Sequence, residues 1–570
     1  MNKQKMAMNN NNILIISILL LIYFSTTLNA QDPQSIVPFY HPNGGGRWEI
    51  LHENIGVPAS QMVNLDTNEV SIIDRTDNGP SNLKYPGACK RTDKLTGKPD
   101  CTAHALNFDW TNKTIRPLFI NSDAYGSSGS VRVDGAILHS GGTGDGANKI
   151  RLYKQCDDDV CDWIDVNENT LSYGRRFATS QYLPDGRTIV VGGVDALNYE
   201  FLPKNEPNPA NVGYYDLPFL KDTLNAKQFE NNLYPFVHLM PDGNVYIFAN
   251  QKSILLDYVN NKVVKTFPDI PGEPRNFPST GSSAMLPVRL SKVKNGTFPV
   301  EIMICGGAAK GNAEKASKGI FLDASRSCGR LVVTDQKPAW KMEDMPMPRV
   351  MSDLINLPSG DMLLINGAHK GAGMFEGADT PVLNPLLYKP NEADPKKRFL
   401  VLNPSNISRM YQSTAVLLTD GRVLVGGSNP HEKPTTTGKY PTEYRLEAFY
   451  PEYLAHQYAT RRPRSLGIEQ YRFLHYGQPF KMTFNIRLYE ADKGPIDVML
   501  YWPSFATHSN QMSQRMLVLP VESSTITKQP GDFTIMARAP DNPNIAPPGW
   551  HMIYVVHNGL PSNGRWIKLT

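Results

Sequence analysis

The sequence predicts an all-β chain, a seven-bladed β-propeller followed by an immunoglobulin-like β-sandwich. Three observations carry this expectation. A hairpin phrase returns six times, 44 Gly and 45 Pro in 570 residues punctuate the chain with turns, and after Arg461 the repeat gives way to differently spaced alternating strands. No long stretch has helical periodicity.

The clearest phrase is SRMYQSTAVLLTDGRVLVGGSNPH, from Ser408 to His431. An apolar run, a Thr-Asp-Gly turn and a second apolar run closing on Gly-Gly predict a β-hairpin in which Asp-Gly supplies residues tolerant of positive φ. Related phrases end at Gly142, Gly193, Asn250, Gly307, Gly367 and Gly427, so the spacings are 51, 57, 57, 60 and 60 residues. That is close to the period of about 50 residues of kelch-type, four-stranded blades. Six units are visible. A seventh is expected to be assembled from the first strands of the mature chain and the last strand before the C-terminal region.

Composition narrows the function class. A net charge of +4 without a Lys/Arg cluster gives no nucleic-acid footprint. Lys3 and Lys5 precede the apolar run ILIISILLLIYF and a polar stretch ending at Ala30. The run is short for a membrane span, so residues 1–30 are predicted to be a cleaved secretory signal rather than an anchor, with the mature chain starting near Gln31. Cys89 with Cys101, Cys156 with Cys161 and Cys305 with Cys328 lie in close pairs. In an oxidising compartment they read as three local disulfides, the connectivity being open at this stage. Sequons at Asn112, Asn295 and Asn406 agree with export and surface glycans.

The propeller is expected over residues 31–455. Two or three short strands open it before Arg75, a cysteine-clipped loop and a hairpin turning at Thr111-Asn112-Lys113 follow, and blades continue to about Pro451. The insertion from Gly367 to Arg398 is expected to be a loop over one mouth of the channel, where binding surfaces concentrate. Residues 462–570 alternate apolar and polar positions between Pro/Gly turns, as in a sandwich, without the Cys-Trp-Cys signature.

Counting back from the turn aspartates locates a candidate site. Eight residues before Asp134, Asp185 and Asp420 stand Gly126, Phe177 and Gln412. Equal register from equal turns predicts equivalent points of the inner strands, facing the central channel.

The phrases RMYQSTAVLLTDGRVLVGGSNPH, SQYLPDGRTIVVGG, FVHLMPDGNVYIFAN, THSNQMSQRMLVLP and PPGWHMIYVVHNGLPS resemble the plant glyoxal oxidase group of the galactose oxidase family of copper-radical oxidases, over essentially the whole mature chain. The resemblance implies a seven-bladed propeller with an immunoglobulin-like domain and oxidation of aldehydes or alcohols with reduction of oxygen to hydrogen peroxide. It also implies a copper held by a tyrosine cross-linked to a cysteine, by an adjacent Tyr-His pair and by a histidine of the C-terminal domain, the cross-linked unit storing one oxidising equivalent and copper the other. Carried over by position, the cysteine falls on Gly126, the radical tyrosine on Phe177, the axial tyrosine on Tyr411, its neighbouring histidine on Gln412 and the last histidine on His508.

Three of those five positions lack the required chemistry. Phe177 has no phenol oxygen, Gly126 no sulfur, and Gln412 an amide where copper selects imidazole. Tyr411 and His508 remain as a vestigial two-ligand site. Neither neighbouring tyrosine repairs it: Tyr173 is displaced by roughly 13 Å along an extended strand, and Tyr125 is expected on the opposite face. His139, His238, His369 and His431, placed near strand ends or loops, read as hydrogen-bonding residues, and Trp163, Trp502 and Trp550 as packing. Arg175 and Arg176 could place a cation at the channel mouth, stand in solvent or contact a glycan.

The expectation is therefore a secreted, glycosylated, monomeric family member that has lost copper-radical oxidation. It would bind no cofactor tightly, and copper only if the family activity survives. Its remaining role would be as a binding or structural protein of the cell wall or matrix, with a glycan or small aldehyde at the propeller mouth and no membrane attachment after signal cleavage. The alternative is a copper-dependent oxidase of glyoxal or methylglyoxal producing a carboxylic acid and hydrogen peroxide. An intracellular kelch adaptor is opposed by the signal segment, the paired cysteines and the sandwich.

Overall fold

A computed structural model describes residues 37–570 except 157, 159, 169, 205–212, 226–230, 294–296, 470–471, 488–493 and 527–530. The signal segment, the mature start and the Asn295 sequon lie outside the described residues. The folded unit runs from Tyr40 to Thr570, and no helix among the described residues is long and apolar enough to cross a membrane.

Among the described residues, seven antiparallel four-strand sets follow one another. Their first strands are Gln61–Asn64, Ser128–Val131, Thr179–Tyr182, Phe236–Leu239, Ser282–Met285, Asp353–Asn356 and Ser413–Leu417, and every residue in them is buried. Fourth strands such as Lys262–Thr266 and Lys341–Asp344 are largely exposed. This gradient from a buried first strand to a solvated last one is that of propeller blades, whose inner strands line up around an axis.

The turns work differently from the sequence expectation. Only the glycine is left-handed, with φ of 83° at Gly135, 84° at Gly186 and 92° at Gly421. The aspartate contributes its side chain instead: Asp134, Asp185 and Asp420 each accept a hydrogen bond at Oδ1 from the backbone N–H two residues on, at 3.2, 3.0 and 3.0 Å.

Ring closure also differs. The opening strands Gln61–Asn64, Glu69–Ile73, Ala105–Asp109 and Thr114–Leu118 form a complete set of their own. The earlier strand Arg47–His52 instead becomes the outer strand beside Leu446–Tyr450, completing the set begun at Ser413. Closure therefore joins the N-terminal strand to the sixth visible repeat. The insertion after Gly367 is not all loop, since Ala368–Gly371 and Ala378–Pro381 pair as a ribbon and Leu386–Tyr388 returns to the blade. Three disulfides form, Cys89–Cys101, Cys156–Cys161 and Cys305–Cys328, leaving no free cysteine.

The C-terminal region is a two-sheet sandwich. Pro479–Asn485 and Asp532–Arg538 turn Phe480, Met482, Phe484, Phe533 and Ile535 onto Val498, Leu500, Leu517, Ile553 and Val555 of the facing sheet.

From this sandwich a hairpin, Phe505–Thr507 with Asn510–Met512, enters the propeller and adds itself to the Gln61–Asn64 strand. His508 and Ser509 form its two-residue turn with φ of 46° and 65°, the pattern of a type I′ turn. Polar side chains hold it inside: Gln511 Nε2 donates to Asp353 Oδ1 at 2.7 Å, Asn510 Nδ2 to Thr179 Oγ1 at 2.9 Å, and Thr507 Oγ1 to the Ser60 carbonyl at 3.2 Å. Gln511→Ala takes a donor from the buried Asp353 carboxyl and from the Ala415 carbonyl, 3.2 Å away. It should cost about 1–3 kcal/mol, read as a lower midpoint in denaturant; an unchanged midpoint would show that the hairpin is held by strand pairing alone.

Candidate functional site: the channel mouth

Gly126, Phe177 and Gln412 occupy equivalent places, but not on the inner strands. Each lies one or two residues ahead of its strand in the left-handed region, with φ of 75°, 65° and 59°. The same holds for Tyr234, Thr280 and Met351, at 47°, 44° and 59°. Counting eight residues back from Asp242 and Ser359 reaches Tyr234 and Met351, so the sequence contained this signal for two more ring positions. The strain is met by backbone bonds between neighbouring blades. Phe177 N donates to the Gly126 carbonyl at 2.6 Å, Tyr234 N to the Phe177 carbonyl at 2.7 Å and Met351 N to the Thr280 carbonyl at 2.8 Å.

Because these residues precede the strands, strand alternation does not govern their neighbours. Tyr125, expected on the opposite face, points into the site: its hydroxyl is 3.0 Å from the Tyr411 hydroxyl, and its ring stands edge-on to Phe177 at 5.6 Å. Tyr411 Oη is in turn 3.2 Å from His508 Nε2. His508 Nδ1 lies 2.8 Å from Thr507 Oγ1. With the Thr507 proton on the Ser60 carbonyl, Nδ1–H donates to Thr507 and Nε2 accepts from Tyr411, which accepts from Tyr125. Burial drives the His508 imidazole down to about 3 and raises both phenols, so the chain is neutral near pH 7.

Aromatic rings fill the rest. Phe277 packs on Phe177 at 4.4 Å, Tyr234 on His508 at 5.2 Å, and Phe375, from the ribbon insertion, on Tyr411 at 5.0 Å and Tyr125 at 5.5 Å. Sequence reasoning missed Phe277, Phe375 and Arg75, whose guanidinium lies 4.4 Å over the Tyr125 ring. They arrive from loops with no shared register. Tyr173 is elsewhere, edge-on to Tyr214 at 4.8 Å.

Arg175 is not at the mouth. It is buried with Nε 2.7 Å from Glu200 Oε1, and Nη1 donates to the Gly192 carbonyl at 2.7 Å. Arg349 and Arg409 donate likewise to the Asn366 and Gly427 carbonyls at 2.9 and 2.8 Å, so these arginines bolt the end of each second strand. Arg176 is the cation at the mouth, half-buried with its guanidinium 5.2 Å over Phe177.

His139, His238 and His369 each lie one residue from an end of a four-residue strand, and His431 lies in a loop. All four have hydrogen-bonding or stacking partners: His139 with Gln61, His238 with Ser283, His369 on the Tyr40 ring and His431 with Glu376. Trp163 packs on Tyr153 and Trp502 on Tyr182, while Trp550 packs beside the Met552 cluster. Burial lowers His238 to about 3, against about 6.5 in an unfolded chain. Its contribution to stability is therefore complete above pH 6.5 and is lost as pH falls toward 3. Asp353, raised to about 7 by burial, acts in the opposite sense, favouring the fold as pH drops below 7. His238→Gln should flatten the fall in Tm between pH 6.5 and 4; a curve parallel to the parent's would refute the assignment.

Copper is the metal such a centre would call for. Among the described residues no group of three or more His, Cys, Asp or Glu side chains is placed to hold a metal ion. The mouth offers one imidazole, two phenols held protonated, and the buried Gln412, whose Oε1 has no hydrogen-bond partner. A single nitrogen donor with neutral oxygens does not fit a metal that favours imidazole and thiolate.

A ring of four-stranded blades with a sandwich hairpin carrying a histidine into its channel is the arrangement that the resemblance to copper-radical oxidases implied. A fungal alcohol oxidase solved in complex with copper superposes with a TM-score of 0.68 at 17% identity, covering 92% of this chain and 99% of that one. Residues 60–453 match the family model "Glyoxal oxidase N-terminus", and residues 462–569 match "Galactose oxidase-like, Early set domain". The chain belongs to the glyoxal oxidase family. It is 41% identical to aldehyde oxidase GLOX of Vitis pseudoreticulata, over 92% of this chain and 97% of that protein. It is 40% identical to aldehyde oxidase GLOX1 of Arabidopsis thaliana, over 92% and 85%.

Proposed function

We propose that this protein is an extracellular member of the glyoxal oxidase family that no longer performs copper-radical oxidation and acts as a monomeric binding or structural protein of the cell wall or matrix. One observation carries the loss. A benzyl ring stands at Phe177, hemmed in by Tyr125, Tyr234 and Phe277, where the chemistry needs a phenol joined to a cysteine sulfur, while all six cysteine sulfurs are committed to disulfides elsewhere. Export is supported by those three disulfides and by the exposed sequons at Asn112 and Asn406.

The rival reading is a copper-dependent oxidase of glyoxal or methylglyoxal. Tyr125 favours it, by bringing a second phenol within 3.0 Å of Tyr411. Secreted protein loaded with copper and dialysed against a chelator decides between them through metal content and peroxide release on glyoxal and methylglyoxal. Loss of copper and no peroxide are expected. One retained copper per chain with peroxide release would establish the oxidase instead.

A further inference from the structure

Beside the aromatic mouth lies a cavity of about 490 Å³, walled on one side by the Asp74–Asn82 segment and on the other by the 433–436 loop and Tyr444. Its size falls within the range of small-molecule sites. Arg75 is the shared wall, with one face toward this cavity and its guanidinium 4.4 Å from the Tyr125 ring and 5.1 Å from the Phe375 ring.

Apart from Lys433, the charges in these walls are already paired. Arg75 is clamped by both oxygens of Asp77, Nε to Oδ1 at 2.5 Å and Nη2 to Oδ2 at 2.8 Å. His104 Nδ1 is 2.9 Å from the Arg75 carbonyl, and its Nε2 meets Asp100, which is itself paired with Arg91. Asp74 takes a bond from Ser60 Oγ at 3.1 Å, and burial raises its carboxyl to about 7, so near neutral pH it is divided between acid and carboxylate. Lys433 stands exposed at the rim. The other groups that face a ligand are uncharged: the amides of Asn78 and Asn82, the hydroxyls of Thr435 and Thr436 and the Tyr444 ring, with Asn78 Nδ2 already donating to the Glu432 carbonyl and Thr435 Oγ1 to the Thr437 carbonyl. Such groups offer donors and acceptors together.

These walls do not suit an apolar ligand, which would leave their amides and hydroxyls unpaired, and offer an anion no uncommitted guanidinium, only the single exposed Lys433 at the rim. The cavity is also built before any ligand arrives. The Glu432 carbonyl accepts from Asn78 Nδ2 at 2.7 Å and from Arg75 Nη1 at 3.4 Å, tying the 432–436 loop in place and lowering the ordering cost of binding.

We propose that this cavity is a binding site for a neutral oligosaccharide, its hydroxyls bonded by Asn78, Asn82 and Asp74 and one sugar face laid on Tyr444. The inference rests on the proposed non-oxidative binding role and assigns that role a place and a ligand class.

The test titrates full-length secreted protein, enzymatically deglycosylated and held in chelator, with cellotetraose and mannotetraose as neutral probes and tetragalacturonate as the acidic comparison. Saturable binding of a neutral probe is expected. It should weaken at least about tenfold in Asn82→Ala and in Thr436→Trp, both exposed rim positions, with unchanged Tm. No binding of either neutral probe, tighter binding of tetragalacturonate, or affinity indifferent to both variants would overturn the proposal. Peroxide release by the copper-loaded parent would overturn the non-oxidative role without touching the titration, so the two failures are separable.

Discussion

Gly126→Cys, Phe177→Tyr and Gln412→His together should give a chain that keeps copper through dialysis, where the parent is expected to lose it, with the protein-radical absorption of a cross-linked tyrosine as the second readout. The geometry argues for this combination and against any single change. A Cβ at Gly126 would lie 2.9 Å from Phe177 Cδ1 and Cε1, so a thiol there abuts the ring edge where a thioether has to form. The same Cβ would lie 2.7 Å from Arg176 Cγ, and φ at Gly126 is +75°, where an L side chain is strained. Gly126→Cys alone should therefore destabilise by about 1–3 kcal/mol without gaining copper. Adding Arg176→Ala to the triple variant should recover part of that stability and improve copper retention. A folded quadruple variant that still loses copper would show that the obstacle lies elsewhere in the aromatic packing.

Breaking the Arg175–Glu200 pair should produce the largest loss of stability of any single substitution considered for this chain. Both side chains are fully buried. Arg175→Ala leaves the Glu200 carboxylate with only Lys204 Nζ at 3.0 Å and the Ser172 N–H at 2.9 Å on Oε2, and also removes the donors to the Gly192 carbonyl and to Asn198. A buried ion pair that loses one partner costs about 3–5 kcal/mol when the remaining charge is left uncompensated, and Lys204, with Nζ 3.0 Å from Glu200 Oε2, offsets part of that cost here. Replacing both members with apolar residues, Arg175→Met with Glu200→Leu, should cost less than Arg175→Ala alone. Thermal unfolding followed by circular dichroism measures both. A double variant as unstable as the single one would mean that the carbonyl bonds, and not the stranded charge, carry the cost.

Arg175 also shows where sequence reasoning reached its limit. Next to Arg176 in the primary structure, it looked equally suited to a solvated mouth. Its role is set by Glu200 and Asn198, residues of the blade's third strand. Tyr125 was misplaced for a related reason, since period-2 alternation was extended past the start of the Ser128–Val131 strand into a segment that is left-handed at Gly126. Phe277, Phe375 and Arg75 were invisible because each comes from a different loop, and only closure of the ring makes them neighbours of His508 and Tyr125.

The sequence by itself determined the repeat, the positions of the turns, the sandwich after Arg461 and the equivalence of Gly126, Phe177 and Gln412. These depend on local backbone preference and on equal distances from equal turns, both written into adjacent residues. Tertiary structure alone decided which way those residues point, what covers them, and that Arg47–His52 closes the ring beside Leu446–Tyr450. Such outcomes depend on contacts between residues hundreds of positions apart, whose geometry exists only once the blades are packed around the inserted hairpin.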